Sequence, residues 1–406
     1  MARLILPTRN RSTSLDGVLT FLARFHPDTE LIIADGSSDR FKSENAENIK
    51  KIGRDLAIDY RQYPEELPFF ERLLEVIKGE SDEFLIMASD DDFPMMDALK
   101  SGETHLRGHP ECSTAIGALV SLYLKSDSRI EARLNPARPV LGDNAEQRVK
   151  AYSAWPFSTT YAVSRREFLI ERYERAQSLF LAGFFDYMIG VHDATLGTVH
   201  AIPEIGFFST RNYNHSYLRP EDPLAFLRHS HTTLAIKDVF KADLIKHAGL
   251  GETEAENLSV LLIKRRISEN VGNVIHKKPG FSESHLFLNK MVQRQWQLFH
   301  DVFEADSPAR QRYSAELDYI AGVLKTNAKS NDNAGEAGQY ETLADQLADK
   351  RTAAGAGQPG VPPVKSNAGA PKNQTPVVPS RPHKPKGNAD TLELTFDVDP
   401  ATMLRM

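Results

Sequence analysis

The chain has 406 residues, 41% of them hydrophobic and 26% charged, which excludes a fibrous or wholly disordered protein. The 49 Lys and Arg residues against 55 Asp and Glu residues give a formal net charge of −6, without the basic excess of a protein that mainly binds nucleic acid, so we expect no nucleic-acid partner. The single cysteine, Cys112, excludes an internal disulfide framework and a cysteine-based zinc site.

Strands and helices alternate over residues 4–92. Short apolar runs predict buried strands at Leu4–Leu6, Glu30–Ala34, Ala57–Tyr60 and Phe84–Ala88. Helical spacing of apolar residues predicts two of the intervening helices, one through Leu15, Val18, Leu19 and Leu22, the other through Phe70, Leu73, Leu74 and Ile77. Because the strands are apolar without strict alternation, we expect an α/β fold with a mostly parallel sheet and helices on both of its faces.

Beyond these elements the pattern is first mixed and then helical. Further strands are predicted at Ser113–Leu124 and Thr159–Val163, a helix at Arg166–Phe180, and the end of a last strand near Phe207. From residue 222 to residue 327 the spacing predicts helices, among them Leu224–Phe240 and Glu252–Ile275. We therefore predict an α/β domain over 1–215, a helical region over 216–328 and a low-complexity, largely disordered tail over 329–406.

The predicted tail has its own composition. Residues 352–390 are rich in proline and glycine and contain no aromatic residue, so they cannot form a core. Residues 392–398 alternate apolar and polar side chains in the manner of one strand. That segment either docks on a sheet edge or a partner, or is an unstructured end.

Polar residues follow three of the predicted strands. Leu6–Arg11 leaves the first strand, Asp35–Asp39 the second and Ser89–Phe93 the fourth. Ligands bind beyond the carboxyl ends of the strands in open α/β sheets, so we expect these loops to form one site. Adjacent carboxylates repel one another, and a hard divalent cation, Mn²⁺ or Mg²⁺, relieves that repulsion. If residues 90–92 are extended, Asp90 and Asp92 point to the same side and share the cation.

These segments resemble a known family. The Pro-Thr-x-Asn-Arg loop (Pro7–Arg11), the Asp-Gly-Ser-x-Asp turn (Asp35–Asp39) and the acidic triplet (Asp90–Asp92) are similar to the motifs of inverting GT-A glycosyltransferases of the family-2-like group. The resemblance covers roughly residues 2–215 and is strongest over 2–96. It implies a nucleotide-diphosphate-sugar transferase domain whose donor is a nucleotide sugar and whose acceptor is a hydroxyl of a glycan, a glycolipid or another molecule.

The resemblance also implies roles for individual residues around the donor. Pro7, Thr8 and Arg9 would line the nucleotide pocket, and Asp35 would accept a hydrogen bond from the base. Asp90 would approach the ribose. Asp92, together with Asp90, would hold the metal that bridges the diphosphate, and Asp91 would lie with them at the donor.

For the second half of the domain the resemblance implies a catalytic base and a phosphate-binding loop. The family usually places an acidic pair at a helix start, whereas this chain has one acid there, Asp186, with Asp193 as a poorer second choice. Asp186 would remove the proton of the acceptor hydroxyl. Farther on, Arg211 would contact phosphate and His215 would complete the metal sphere.

The family's Asn-x-Gly helix start is absent, and Pro68–Arg72 stands in its place. Two alternatives stay open beside a metal-dependent glycosyltransferase. The first is a catalytically inactive, glycosyltransferase-like binding or scaffold protein, because Asp186 stands alone where the family has an acidic pair. The second is a metal-dependent phosphohydrolase, since Asp90-x-Asp92 follows a buried strand. Neither a signal peptide nor a run of ~18 apolar residues is visible, so we expect a cytoplasmic protein with at most a peripheral contact at the inner face of the membrane.

Overall fold

A computed structural model describes residues 2–53, 55–124, 130–179, 184–212, 230–276, 290–304 and 307–331. The strands are β1 (Arg3–Thr8), β2 (Glu30–Asp35), β3 (Ala57–Gln62), β4 (Phe84–Met87), β5 (Asp92–Pro94), β6 (Cys112–Leu124), β7 (Ile130–Asn135), β8 (Val163–Arg165) and β9 (Thr198–Asn212). The helices are α1 (Ser12–Phe25), α2 (Asp39–Ile52), α3 (Phe69–Gly79), α4 (Met96–Gly108), α5 (Ala145–Ala154), α6 (Arg166–Leu179), α7 (Phe185–Leu196), α8 (Ser230–Ala248), α9 (Glu252–His276), α10 (Lys290–Phe303) and α11 (Pro308–Asn331).

The nine strands form one sheet in the order β3-β2-β1-β4-β8-β6-β9-β5, with β7 paired to β6. The first four strands in this order are parallel, as expected, and so are β6 and β9. Strands β8, β7 and β5 pair antiparallel with their neighbours, which makes the sheet mixed. The predicted α/β fold is confirmed, and its parallel half carries the three polar loops.

Both faces of the sheet are covered by helices. Within β1, Leu4 and Leu6 belong to one buried apolar cluster, together with residues of α1, α4, α10 and α11. Ile5 points the other way, into a second cluster that is built with α3 and α5–α9. Burial on both sides explains why the strand sequences are continuously apolar. The C-terminal helices thus pack onto the sheet on both faces.

The strand predicted at Thr159–Val163 is wrong over most of its length. A turn closes there, with the amide of Ala162 donating to the carbonyl of Thr159 at 3.1 Å, and β8 begins only at Val163. Within the turn, the Ser158 hydroxyl bonds to both the hydroxyl and the amide of Thr160, so these groups do not extend the ladder. The predicted tail from residue 332 onward, including 392–398, lies outside the described residues. Among the described helices, none has the length and apolar character needed to cross a membrane.

Three histidine rings stack where the C-terminal end of α4 meets β9. The His105 ring lies 3.5 Å from that of His200 and 3.9 Å from that of His109, nearly parallel to both. Burial, reinforced by the two neighbouring histidines, lowers the pKa of His200 from 6.5 to about 4. The folded state therefore takes up the His200 proton less readily than the unfolded chain does, and stability is lost as the pH falls from 6.5 toward 4.

We expect His200→Gln to reduce this acid destabilisation by about 1 kcal/mol, a value discounted for the partial exposure of the ring. Urea unfolding at pH 7.5 and at pH 4.5 measures the difference between wild type and variant. His300→Gln, on α10 outside the stack, is the matched control. An equal loss of stability in wild type and in His200→Gln would contradict the prediction.

Candidate functional site

The loops after β1, β2 and β4 meet at one edge of the sheet. Thr8 and Asp35 are register partners at the ends of β1 and β2, and the amide of Gly36 donates to the carbonyl of Thr8 at 3.1 Å. On the other side of β1, the amide of Ala88 donates to the carbonyl of Ile5 at 3.0 Å. Parallel pairing therefore brings the three predicted segments together.

Asp35 is fully buried and holds the loop that follows it. Its Oδ1 accepts from the amide of Ser37 at 2.8 Å, and its Oδ2 accepts from Asn45 Nδ2 at 2.7 Å and from the Tyr60 hydroxyl at 2.6 Å. Asn10, with φ of 55°, ties this loop to the first one, because its side-chain oxygen accepts from the amide of Ser38 at 2.9 Å. Contact between Asp35 and a nucleotide base stays a prediction.

The acidic triplet lies in a turn, Ser89–Asp92, which we call the acidic turn. The amide of Asp92 faces the carbonyl of Ser89 at 3.4 Å, so the extended geometry assumed for this segment is wrong. Asp90 Oδ2 accepts from the Thr8 hydroxyl at 2.7 Å, whereas Asp92 Oδ1 accepts from the amide of Thr210 at 3.1 Å. The two carboxylates thus bond to opposite neighbours, β1 and β9.

Arg11 supplies a positive charge to the acidic turn. Its Nη1 lies 2.5 Å from Asp90 Oδ1 and its Nη2 lies 2.5 Å from Asp91 Oδ2. Ser89 also donates to the Asp91 carboxylate. Burial raises the pKa of Asp90 to about 6, although the Arg11 guanidinium opposes this shift. A guanidinium between two carboxylates relieves the same repulsion for which the sequence predicts a divalent cation.

The described residues do not supply a complete metal site. Within the part of the chain that the structure describes, no group of three or more His, Cys, Asp or Glu side chains is placed to hold a metal ion. His215, the third predicted ligand, lies outside the described residues, and only the main chain of Arg211 is described, paired in β9 with Tyr123. Metal binding by Asp90 and Asp92 stays a prediction.

Arg72 is a site residue that the sequence reasoning missed. It belongs to α3 and is 2% exposed, and its side chain makes no hydrogen bond or ion pair within the described residues. Its Nη1 lies over Gly36, where a Cβ atom would come within 1.3 Å of it. Burial lowers the pKa of Arg72 to about 10, an effect that the nearby Asp35 and Asp90 oppose and Arg9 strengthens. The edge of the sheet therefore contains a buried cation that forms no ion pair with a described residue, although Asp35 and Asp90 lie near it.

The helical spacing of α3 predicts an exposed side chain at Arg72, which is the opposite of what the structure shows. At 100° per residue, Arg72 falls on the side of α3 opposite Phe70 and Ile77, where a charged residue is normally solvated. The loop after β2 covers that side of the helix and encloses the guanidinium. Arg9, in contrast, keeps 41% of its side chain exposed and lies 3.8 Å from Glu65, while Pro7 is half-buried in β1.

Asp186 lies at the same edge of the sheet. Strand β8 pairs antiparallel with β4, with Val163 opposite Ile86, so the loop before β8 runs beside the acidic end of β4. From this loop Thr160 Oγ1 donates to Asp186 Oδ1 at 2.6 Å. Asp186 is exposed in the first turn of α7. Its carboxylate is therefore open to a ligand.

A row of rings connects Asp186 with Arg72. The Arg72 guanidinium lies 5.9 Å from the centre of the Phe69 ring, and Phe69 and Phe70 are 5.2 Å apart. Phe70 in turn lies 5.5 Å from Phe185, the neighbour of Asp186. Arg72 and Asp186 thus lie at the two ends of this row of rings, which we call the aromatic wall.

Asp193 cannot take the role of Asp186. It is fully buried, its Oδ1 lies 2.5 Å from Arg172 Nη2, and its Oδ2 accepts from the Thr159 hydroxyl at 2.6 Å. Breaking a buried ion pair is costly, so this carboxylate belongs to the structure that supports α7. As a second choice of base, Asp193 is therefore wrong.

Several solved structures are similar to the chain. S. aureus TarS 1-349 in complex with UDP-GlcNAc is 14% identical, with a TM-score of 0.47 over 81% of this chain and 92% of that one. The mannosyltransferase PcManGT from Pyrobaculum calidifontis, in complex with GDP-Man and Mn²⁺, is 14% identical, with a TM-score of 0.37 over 80% and 86%. No protein-family model and no curated protein matches the chain. Similarities this distant establish no activity for this chain.

Proposed function

We propose that the chain transfers a sugar from a nucleotide-diphosphate sugar to an acceptor hydroxyl. The observation that carries the proposal is Arg72, whose buried guanidinium makes no hydrogen bond or ion pair with a described residue and lies near Asp35 and Asp90. Burying a cation is costly unless it is paired, and the diphosphate of a donor would supply the missing anion. The resemblance of the three loops to nucleotide-sugar transferases agrees with such a ligand.

The residues divide between donor and acceptor. Thr8 and Arg9 would line the donor pocket, and Arg72 would bond to the diphosphate with its guanidinium fork. Asp186, exposed to solvent at the end of the aromatic wall away from Arg72, would remove the acceptor proton. The acceptor oxygen forms a bond to the anomeric carbon, the bond from that carbon to the diphosphate oxygen breaks, and the proton moves to the Asp186 carboxylate. Attack from the face opposite the leaving group inverts the anomeric configuration.

Charge on the departing diphosphate has to be stabilised. Arg72 and Arg11, which both lie near Asp90, would supply positive charge there, and preorganised cations of this kind lower the barrier to phosphate departure. A divalent cation, Mn²⁺ or Mg²⁺, would add Lewis-acid chemistry at the same place if Asp90 and Asp92 bind it with further ligands. The described ligand set is incomplete, so no step is assigned to a metal.

Calorimetric titration tests the proposed donor site. We expect one of UDP, GDP and dTDP to bind with a Kd in the micromolar range, and comparison of Mn²⁺ with a chelator determines whether a metal takes part. Asp92→Asn should weaken any metal-dependent share of the affinity. If none of the three nucleotides binds in either condition, the glycosyltransferase proposal is wrong.

One observation favours a second candidate, a nucleotide-sugar-binding protein without turnover. Asp186 occupies the first turn of α7, where an acidic residue also stabilises the helix dipole without any catalytic role. Binding of a nucleotide sugar with no release of its nucleoside diphosphate, under conditions with and without Mn²⁺, would support this candidate. The proposal also includes the acceptor, a glycan or a glycolipid, which an acceptor screen would identify. It includes peripheral contact with a membrane as well.

A further inference from the structure

Two adjacent threonines fasten the loop before β8 to α7. The Thr159 hydroxyl donates to Asp193 Oδ2, within the buried ion pair with Arg172, and the Thr160 hydroxyl donates to Asp186 Oδ1. Asp186 and Asp193 are seven residues apart on α7, which puts them on the same side of the helix, two turns from each other. The loop is thus joined to α7 at one buried and one exposed carboxylate.

Thr160 is itself held in place. Its Oγ1 accepts from the Ser158 hydroxyl at 3.1 Å, and its amide donates to Ser158 Oγ at 3.3 Å. The hydroxyl hydrogen of Thr160 is therefore directed at Asp186, since the oxygen already accepts from Ser158. Among the described residues, Asp186 Oδ1 has this hydrogen bond and Oδ2 has none.

We propose that Thr160 is a positioning residue for the base: it fixes the rotation of the Asp186 carboxylate through Oδ1 and leaves Oδ2 to receive the acceptor proton. The inference rests on the proposed function. A carboxylate free to rotate would spend part of its time with neither oxygen aligned, and misalignment of a catalytic group lowers the rate without weakening donor binding. The buried pair of Asp193 and Arg172 has a role in this arrangement, because it fixes the loop that carries Thr160.

The test compares Thr160→Val with Thr160→Ser in the full chain. Val keeps the shape of the side chain and removes the hydroxyl, whereas Ser restores the hydroxyl without the methyl group. The probe is the nucleotide sugar that carries the base selected by calorimetry, with water as acceptor and release of the nucleoside diphosphate as the readout. Loss of one neutral-to-charged hydrogen bond predicts that kcat of Thr160→Val falls by about tenfold, with unchanged donor KM and nucleotide Kd. Thr160→Ser should retain kcat to within about threefold.

The possible outcomes separate failure of the positioning role from failure of the proposed function. If Thr160→Val has the kcat of wild type, or if Thr160→Ser is as slow as Thr160→Val, the positioning role is overturned while the proposed function stands. If the wild type binds no nucleotide, the proposed function itself fails. Ser158→Ala leaves the direct contact between Thr160 and Asp186 in place and should reduce kcat by less than Thr160→Val does. It serves as the second variant if Thr160→Val does not fold. In that case, a kcat equal to that of wild type in Ser158→Ala would overturn the positioning role.

Discussion

Replacing Arg72 with methionine should weaken donor-nucleotide binding by roughly 10- to 100-fold, the range expected for loss of hydrogen bonds from a charged group. The free energy of unfolding should stay the same or rise. Arg72 is 2% exposed and its side chain makes no hydrogen bond or ion pair among the described residues, so the folded chain bears a desolvation cost that methionine removes. Binding residues that are costly to the fold show this opposite effect on affinity and stability. Calorimetry and urea unfolding on the same preparations measure both quantities.

A control on the same helix is available. Lys78→Met removes a positive charge from α3 at a side chain that is 51% exposed and paired with Glu174, and it should change neither quantity appreciably. Arg72→Lys keeps the charge without the planar fork and should fall between wild type and Arg72→Met in affinity. Wild-type affinity in Arg72→Met, or its marked destabilisation, would show that the guanidinium supports the fold instead of the ligand.

The second large effect is expected at Asp186. Asp186→Asn keeps the shape of the side chain and the acceptor oxygen for Thr160 but cannot take a proton, so transfer should slow by about 10²- to 10⁴-fold, the usual contribution of a general base. Nucleotide affinity should not change, because Asp186 belongs to α7, at the end of the aromatic wall away from Arg72, and not to the donor loops. Initial rates at saturating donor, alongside calorimetry, measure the two effects.

Asp97→Asn is the matched control for Asp186→Asn. Asp97 is also an exposed acid in the first turn of a helix, α4, so its substitution removes the same favourable interaction with a helix dipole. The control should transfer at the wild-type rate. Equal rates for Asp186→Asn and Asp97→Asn would exclude Asp186 as the base and leave the binding-protein alternative.

The parallel half of the fold was predictable because three of its strands, β1, β2 and β4, are buried on both faces. Continuous apolar runs such as Glu30–Ala34 and Phe84–Ala88 lie within one residue of the observed ends of β2 and β4. Helix α2, in contrast, has only a short apolar stripe, in which Ile49 and Ile52 are half-buried. Its one fully buried residue is Asn45, which donates a hydrogen bond to Asp35. At this position a polar residue therefore stands where the pattern of a buried helix would have an apolar one.

The site was predictable where strand ends determine it and unpredictable where tertiary contacts do. The loops after β1, β2 and β4 meet because parallel strands end at the same edge. The turn at Ser89–Asp92 and the pairing of Arg11 with two of its carboxylates depend on distant neighbours, and so does the enclosure of Arg72. Asp186 and Asp193 look alike in the sequence, and only their surroundings separate an exposed carboxylate from a buried ion pair.

The contact between Gly36 and Arg72 limits the order in which the two positions can change. A methyl group at position 36 would lie 1.3 Å from Arg72 Nη1, so Gly36→Ala should displace the buried guanidinium, a conflict that is absent once a shorter side chain replaces the arginine. The double variant should therefore be more stable than the sum of the single changes predicts. In descendants of this chain that lose the arginine, position 36 would accept residues larger than glycine. A larger side chain fixed there would then exclude an arginine from position 72.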